Sequence, residues 1–330
     1  MSQGRLIKTR GIPIMPPIPE LPFTQGNIWH VKPYSGNDGN YGDHPSSAFK
    51  TLAQAHTKAT ADQNDIVLMY AESNTAASTT DYQSSTLTWS KDGVHLIGVN
   101  AGQRQSQRSR VALVSTYDTA SNLITITSDG CLFKNIEFFA GVAGTNPTGC
   151  MLINAGTRNH FFNCHIAGIG HANNDIAGAY SLNLTGNATE NLFEKCVIGC
   201  DTVARGTSAN AEIYLVGTGG GTKPARNIFE DCYIVGYCES AGNYYFVDAT
   251  YLDRFLIFKN CIMTSPGTNV TSGAVLTYAI KNTTANGVII LHNTSITGAA
   301  DVANNPGNIY SNTAIPGATD AGLTIAVVKT

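Results

Sequence analysis

Short apolar runs of four to six residues, rich in β-branched and aromatic side chains, punctuate this chain, with turns of Gly, Asn, Ser and Thr between them. Several runs alternate apolar and polar residues, the period of a half-buried strand. Almost no stretch carries the 3.6-residue period of a helix, so helical repeats are set aside. One phrase recurs. It reads Phe133-Lys-Asn135-Ile136-Glu-Phe138, then Phe161-Phe-Asn163-Cys164-His-Ile166, Phe193-Glu-Lys195-Cys196-Val-Ile198, and Phe229-Glu-Asp231-Cys232-Tyr-Ile234. Two further copies are Phe258-Lys-Asn260-Cys261-Ile-Met263 and Leu291-His-Asn293-Thr294-Ser-Ile296. The fourth position returns after 28, 32, 36, 29 and 33 residues.

A second apolar run precedes each phrase: Leu123–Ile126, Met151–Ile153, Leu182–Leu184, Ile213–Leu215, Tyr245–Val247 and Val275–Leu276. Each repeat therefore supplies at least two short strands. A unit of about 30 residues cannot bury its own apolar face, whereas coils stacked ~4.8 Å apart can. The sequence thus predicts an all-β fold, a right-handed parallel β-helix solenoid over residues 65–300, with a short N-terminal capping helix. Stacking aligns Phe133, Phe161, Phe193, Phe229 and Phe258 as an internal aromatic column. Beside it Cys164, Cys196, Cys232 and Cys261 form a ladder of small buried thiols. The position between them, Asn135, Asn163, Lys195, Asp231, Asn260 and Asn293, is read as an asparagine ladder at a tight bend, where Asn tolerates left-handed φ/ψ and bonds the backbone one coil away.

The ends differ from the middle. Residues 1–27 hold five of the twelve prolines and are read as an extended arm lying along another subunit. Residues 28–64 are an N-terminal cap, with a helix over 47–61 that starts at Ser46 or Ser47 and turns Phe49, Leu52 and Ala53 inward. Strands follow at Asp65–Tyr70 and Val94–Ile97. Residues 301–330, ending in Leu323-Thr-Ile-Ala-Val-Val328, are assigned to a C-terminal cap or intersubunit segment. The opening Trp29–Val31, Gly36-Asn37-Asp38, Pro45-Ser46-Ser47-Ala48-Phe49-Lys50-Thr51-Leu52 and Asp65–Tyr70 resembles that of pectin-lyase-like right-handed β-helix proteins. That resemblance spans about residues 27–300. It implies the fold, and a group that includes polysaccharide lyases and hydrolases, adhesins, and phage tailspike and capsid-surface proteins; fold does not settle function.

Composition narrows the field. Charged residues are 13% of the chain and the net charge is −3, which carries no electrostatic footprint for nucleic acid. No run of 18 apolar residues exists, so no transmembrane helix is expected. The first residues, Met1 to Lys8, lack the apolar core of a secretory signal. Eight cysteines are too sparse for a disulfide scaffold, and the repeat makes them packing groups rather than metal ligands.

Cleavage of a polysaccharide needs carboxylates gathered on one outer face. The nearest candidates are Glu194, Glu230 and Asp231 on successive coils, read first as solvated turn residues and only second as catalysts. His171, in Gly170-His171-Ala172-Asn173-Asn174-Asp175, is read as a loop residue. Gly217 to Lys223 lacks the spacing of a phosphate loop and is read as a coil insertion. No metal and no cofactor is expected. The leading expectation is a virion structural protein, of capsid-decoration or tailspike type, assembled as a homotrimer and bound to other virion proteins through its arm, with surface glycans as further partners. A β-helix polysaccharide lyase or hydrolase and an exported, cell-surface adhesin are the alternatives.

Overall fold

The computed structural model describes residues 7–9, 12–14, 24, 26–72, 80–114, 121–141, 143, 148–206, 209–216, 222–282 and 287–312. Each coil carries three strands, one beyond the two that the apolar runs marked, and these stack into three parallel sheets. Sheet I has ten strands, from Ile28–Val31 at one edge to Ile309–Ser311 at the other. Sheet II runs over eight strands from Thr80–Gln83 to Ser295–Thr297, and sheet III over eight from Leu87–Trp89 to Ala299–Ala303. The chain visits I, II and III in turn and returns to I one coil on, the course of a right-handed parallel β-helix. Among the described residues the solenoid thus runs from 28 to 312, taking in the strand of the expected cap and the first part of the expected C-terminal segment.

The repeated phrase is the corner between sheets I and II. Its Phe closes a sheet I strand and its Cys and Ile enter sheet II. The rings of Phe133, Phe161, Phe193, Phe229 and Phe258 stack 4.7, 4.6, 4.6 and 5.0 Å apart, nearly parallel, all shut off from solvent. Each ladder thiol does more than fill space. The Sγ of Cys164, Cys196, Cys232 and Cys261 donates to the carbonyl of Phe133, Phe161, Phe193 and Phe229 one coil back, each at 3.3 Å. Thr294 does the same with its hydroxyl, to Phe258 O at 3.0 Å. Cys and Thr are alike here as small donors that satisfy a buried carbonyl.

The bend residue has positive φ in all six coils, 47° to 55°. Its ladder runs from side chain to side chain rather than to the backbone one coil away. Asn163 Nδ2 donates to Asn135 Oδ1 at 2.7 Å, Asn260 to Asp231 at 3.2 Å, Asn293 to Asn260 at 3.3 Å, and Asn312 extends it to Asn293 at 2.9 Å. Lys195 leaves the ladder for Glu194, 2.9 Å away. A second ladder, fully buried, lines the corner between sheets III and I. There the backbone N–H of Cys131, Asn159 and Asn191 donates to Asn159, Asn191 and Asn227 in turn, at 2.9 to 3.1 Å.

At the N-terminal end a single 3-10 turn, Pro45–Ser47, precedes a helix over Leu52–Lys58. The helix is shorter than 47–61 because Asp38 holds the N–H groups of Lys50 and Thr51 at 2.8 and 2.9 Å, and Thr51 caps Gln54. Leu52, Ala55 and His56 face the core, and Ala53 faces solvent. The helix packs on the first two rungs of sheet I. Asp65, fully buried, ties this region together by accepting from Asn27 N, Trp29 Nε1 and Thr60 N. In the proline-rich arm Ile7–Thr9 and Ile12–Ile14 pair antiparallel, with Pro13 opposite Lys8, so this part doubles back instead of running on extended. A strand with a single partner tolerates a residue without an N–H. Residues 1–6, 10, 11, 15–23 and 25 of the arm, Gly217–Gly221 of the coil insertion and Leu323–Val328 lie outside the described residues.

Candidate functional site

Outward positions decide what each sheet can do, because the interior is filled by the repeat. On sheet I the residue after each Phe faces out, and the register places Lys134, Phe162, Glu194, Glu230, Lys259 and His292 in one column. Glu194 and Glu230 are therefore neighbours one rung apart. Both are neutralised: Glu194 by Lys195 at 2.9 Å with His160 Nε2 at 3.3 Å, and Glu230 by Lys259 at 2.6 Å. The hydrogen bond to Glu230, then its charge, holds the Lys259 ammonium above its ordinary pKa. Burial lowers that of His160 against the opposing pull of Glu194, so this imidazole is neutral at pH 7. Lys134 and Lys195 each lie 5.0 Å from the Phe162 ring centroid. Asp231 does not join the two glutamates. It sits in the bend at φ 53° and accepts from Asn260.

Sheet II is covered in part. Residues 100–109 cross the bend as a strap: Asn100 Nδ2 donates to Asn135 O at 2.8 Å, and Asn163 Nδ2 to Gly102 O at 2.6 Å. Arg104 Nη2 reaches Asp231 O and its guanidinium lies 4.2 Å from the Tyr233 ring centroid. Next to the strap, Glu137 and His165 are neighbours in register and both are buried, with Glu137 Oε1 at 3.5 Å from His165 Nδ1. His165 Nδ1 accepts from Ser106 N at 3.1 Å while Nε2 lies 3.0 Å from Gly199 O, an arrangement that suits the tautomer protonated at Nε2.

Sheet III presents Thr88, Thr125, Leu152, Asn183, Tyr214, Asp248 and Lys281 along one outward column. Asp248 accepts from Lys281 Nζ at 2.9 Å and from Thr250 through both backbone and hydroxyl. Burial alone lowers the Lys281 pKa, but the hydrogen bond and charge of Asp248 outweigh it and raise the pKa overall. Burial, then the charge of Asp248, pushes the Tyr214 phenol up. Behind this face a buried network closes over Glu212, which accepts from Arg205 at 3.0 Å, from Tyr244 at 3.1 Å and from Ser181.

Loops between sheets II and III bring together two carboxylates that the repeat did not reveal. A Cβ added at Gly206 would stand 3.1 Å from Glu239 Oε2 and 3.7 Å from Asp175 Oδ2, so those oxygens are no more than about 7 Å apart. Asp175 accepts from Gly206 N at 2.9 Å and from Asn210, and Glu239 is exposed. The only sequence signal was the stretch ending in Asp175. His171 lies in the same loop, capping the turn Ala172–Asn174 by accepting from Asn173 N. All eight cysteines are free and buried, and burial raises the thiols of Cys131, Cys150, Cys196 and Cys232, which keeps them protonated and unreactive. No group of three His, Cys, Asp or Glu suited to a metal occurs among the described residues. Among them, too, no helix is long and apolar enough to cross a membrane.

No protein-family model matches the chain, and no curated protein matches it in sequence. Solved structures do match in shape. A pectin methylesterase from Aspergillus niger aligns at 13% identity over 89% of this chain and 87% of its own, with a TM-score of 0.55. A pectate lyase aligns at 15% identity over 86% and 68%, with a TM-score of 0.57. A rhamnogalacturonan lyase aligns at 14% over 82% and 68%, with a TM-score of 0.55. At such identities the likeness is one of fold. The chain has the fold of these proteins, a right-handed parallel β-helix.

Proposed function

We propose that this chain is a structural protein of a virion surface, of the capsid-decoration or tailspike type, assembled as a homotrimer and attached through its terminal segments. The observation that carries this reading is where the repeated side chains go. The Phe and Cys columns close on the solenoid's own rings and backbone, the bend amides close on one another, and Glu194 and Glu230 are each paired with a lysine of the same chain. Such a ladder makes a stiff rod, the property a particle-surface protein requires. The truncation lacking residues 1–26 tests it. The expected result is a folded solenoid that no longer binds particles, whereas retained binding overturns attachment through that arm. Mass spectrometry of purified virions should find the chain at stoichiometric levels; its absence from them removes the virion reading.

A second reading, a β-helix enzyme acting on a polysaccharide, is favoured by one observation, the Asp175 and Glu239 oxygens about 7 Å apart or closer. That range overlaps the carboxylate separations of both retaining and inverting glycosidases. Glu194 and Glu230, each held by a lysine, are less suited to acid–base chemistry. If the enzyme reading holds, Asp175→Asn with Glu239→Gln abolishes depolymerisation while Glu194→Gln with Glu230→Gln leaves it intact. Depolymerisation unchanged in the first pair removes those residues.

A further inference from the structure

The outer face of sheet I carries a second column, one residue before each Phe. Leu192, Ile228, Ile257 and Ile290 follow one another on four consecutive rungs, each only half-buried. The column begins at Leu132, passes the neutral His160, and ends at Tyr310, which is 60% exposed. Phe255 and Val288, paired in register and half-buried, widen it in the last rungs. No repeat residue of the interior requires this. Outward strand positions facing water are ordinarily polar, and the equivalent column of sheet III is mostly so.

We infer that this face is where one copy of the chain meets another, so that the assembly proposed above rests on the outside of sheet I. Size favours a protein partner. The seven positions of the column, with Phe255 and Val288 beside it, each take up ~4.8 by ~7 Å of sheet and together cover roughly 300 Å². That reaches the range of the largest apolar patches of monomers, which are often functional, and makes up more than a third of the ~800 Å² each partner contributes to a standard interface, the charged column beside it supplying a polar rim. Charge favours a copy of itself. Beside the column stand Glu194 with Lys195 and Glu230 with Lys259, all partly exposed, so the face carries both signs. A surface of one sign would repel its own copy, and this one, with each glutamate paired to a lysine of its own chain, does not. Both ends of the solenoid also belong to this sheet, Ile28–Val31 and Ile309–Ser311, so the terminal segments leave from the edges of the same face.

The inference depends on the multimeric reading, and the experiment separates the two. Sedimentation of the full chain is compared with Ile228→Asp/Ile257→Asp, and with Thr88→Asp on sheet III as control. The wild-type and control chains are expected to sediment as multimers. The double variant is expected as the 34.9 kDa monomer with its circular dichroism unchanged, its dissociation constant raised at least about 100-fold. A multimeric double variant overturns the assignment of this face and leaves the multimeric reading standing; a monomeric wild type at tens of micromolar overturns both. If the double variant does not fold, Ile257→Cys is labelled with maleimide, since the native cysteines are all buried. Labelling at least about tenfold slower than at Thr88→Cys, recovering on dilution, supports the interface. Equal rates overturn it.

Discussion

Leu192 and Phe193 are consecutive residues of one strand, yet they belong to different problems. Phe193 lies between Phe161 and Phe229 at 4.6 Å on each side and sees no water. Leu192 stands on the other face of the same sheet, between His160 and Ile228, half-open to solvent. The inward column is dictated by the fold, since a solenoid of short strands must fill a narrow interior at every rung. The outward column is not, and sheet III shows the alternative: Thr88, Thr125, Asn183, Tyr214, Asp248 and Lys281 occupy the equivalent line there, with Leu152 its one aliphatic member. The difference locates function outside the repeat.

The largest expected effect is on the inside. Phe193→Ala opens a hole in the aromatic stack and should cost about 3–5 kcal/mol by denaturant unfolding, whereas Leu192→Ala should cost the isolated chain well under half of that. Equal losses would remove the distinction between the two faces. Next comes the thiol ladder. Cys196→Ala leaves Phe161 O without its donor and should cost about 1–3 kcal/mol, while Cys196→Thr, which reproduces the natural Thr294 arrangement, should be nearly neutral. If Ala and Thr behave alike, the ladder is packing alone.

Acid should loosen the N-terminal end of the molecule, where the buried His30 and His56 lie. Burial, with nearby cations, lowers His30 and His56 to about 4, so both are neutral when folded. The unfolded chain binds protons on these residues below about 6.5 and the folded chain does not until about 4. Their stabilising contribution is thus complete above pH 6.5 and lost as pH falls towards 4. His56→Gln should flatten the melting temperature over that window, and an undiminished slope would exclude His56 as a source. The smallest effect belongs to the paired column of sheet I: Glu230→Gln removes the partly exposed pair with Lys259 and should change the stability of the isolated chain, by denaturant unfolding, less than any substitution above.

The inside of this molecule was legible in the sequence because it repeats. Phe, Cys and the bend residue could be aligned over six copies, and the same alignment placed Glu194 beside Glu230. That alignment also held Lys259 in the same position, so the neutralised column could have been read from it. The second asparagine ladder was less visible, since Asn159, Asn191 and Asn227 precede the Phe by two residues in only three coils. The strap over residues 100–109 occurs once, and its link from Arg104 to Asp231 joins residues 127 apart, beyond any local pattern. Asp175 and Glu239 meet through loops of unequal length, for which periodicity has no register to offer. The outer apolar column was hidden in plain strands: Ile228 and Ile257 look like any β-branched residue until the register shows which side they face.

The most direct measurement is the mass in solution of Leu192→Asp and Phe193→Ala, set beside their unfolding curves. The account expects Leu192→Asp to keep its fold and lose its partners, and Phe193→Ala to lose stability while its folded fraction remains assembled. A Leu192→Asp chain as multimeric as the wild type, or one that unfolds as readily as Phe193→Ala, would contradict the division between an inside that makes the rod and an outside that joins it to another.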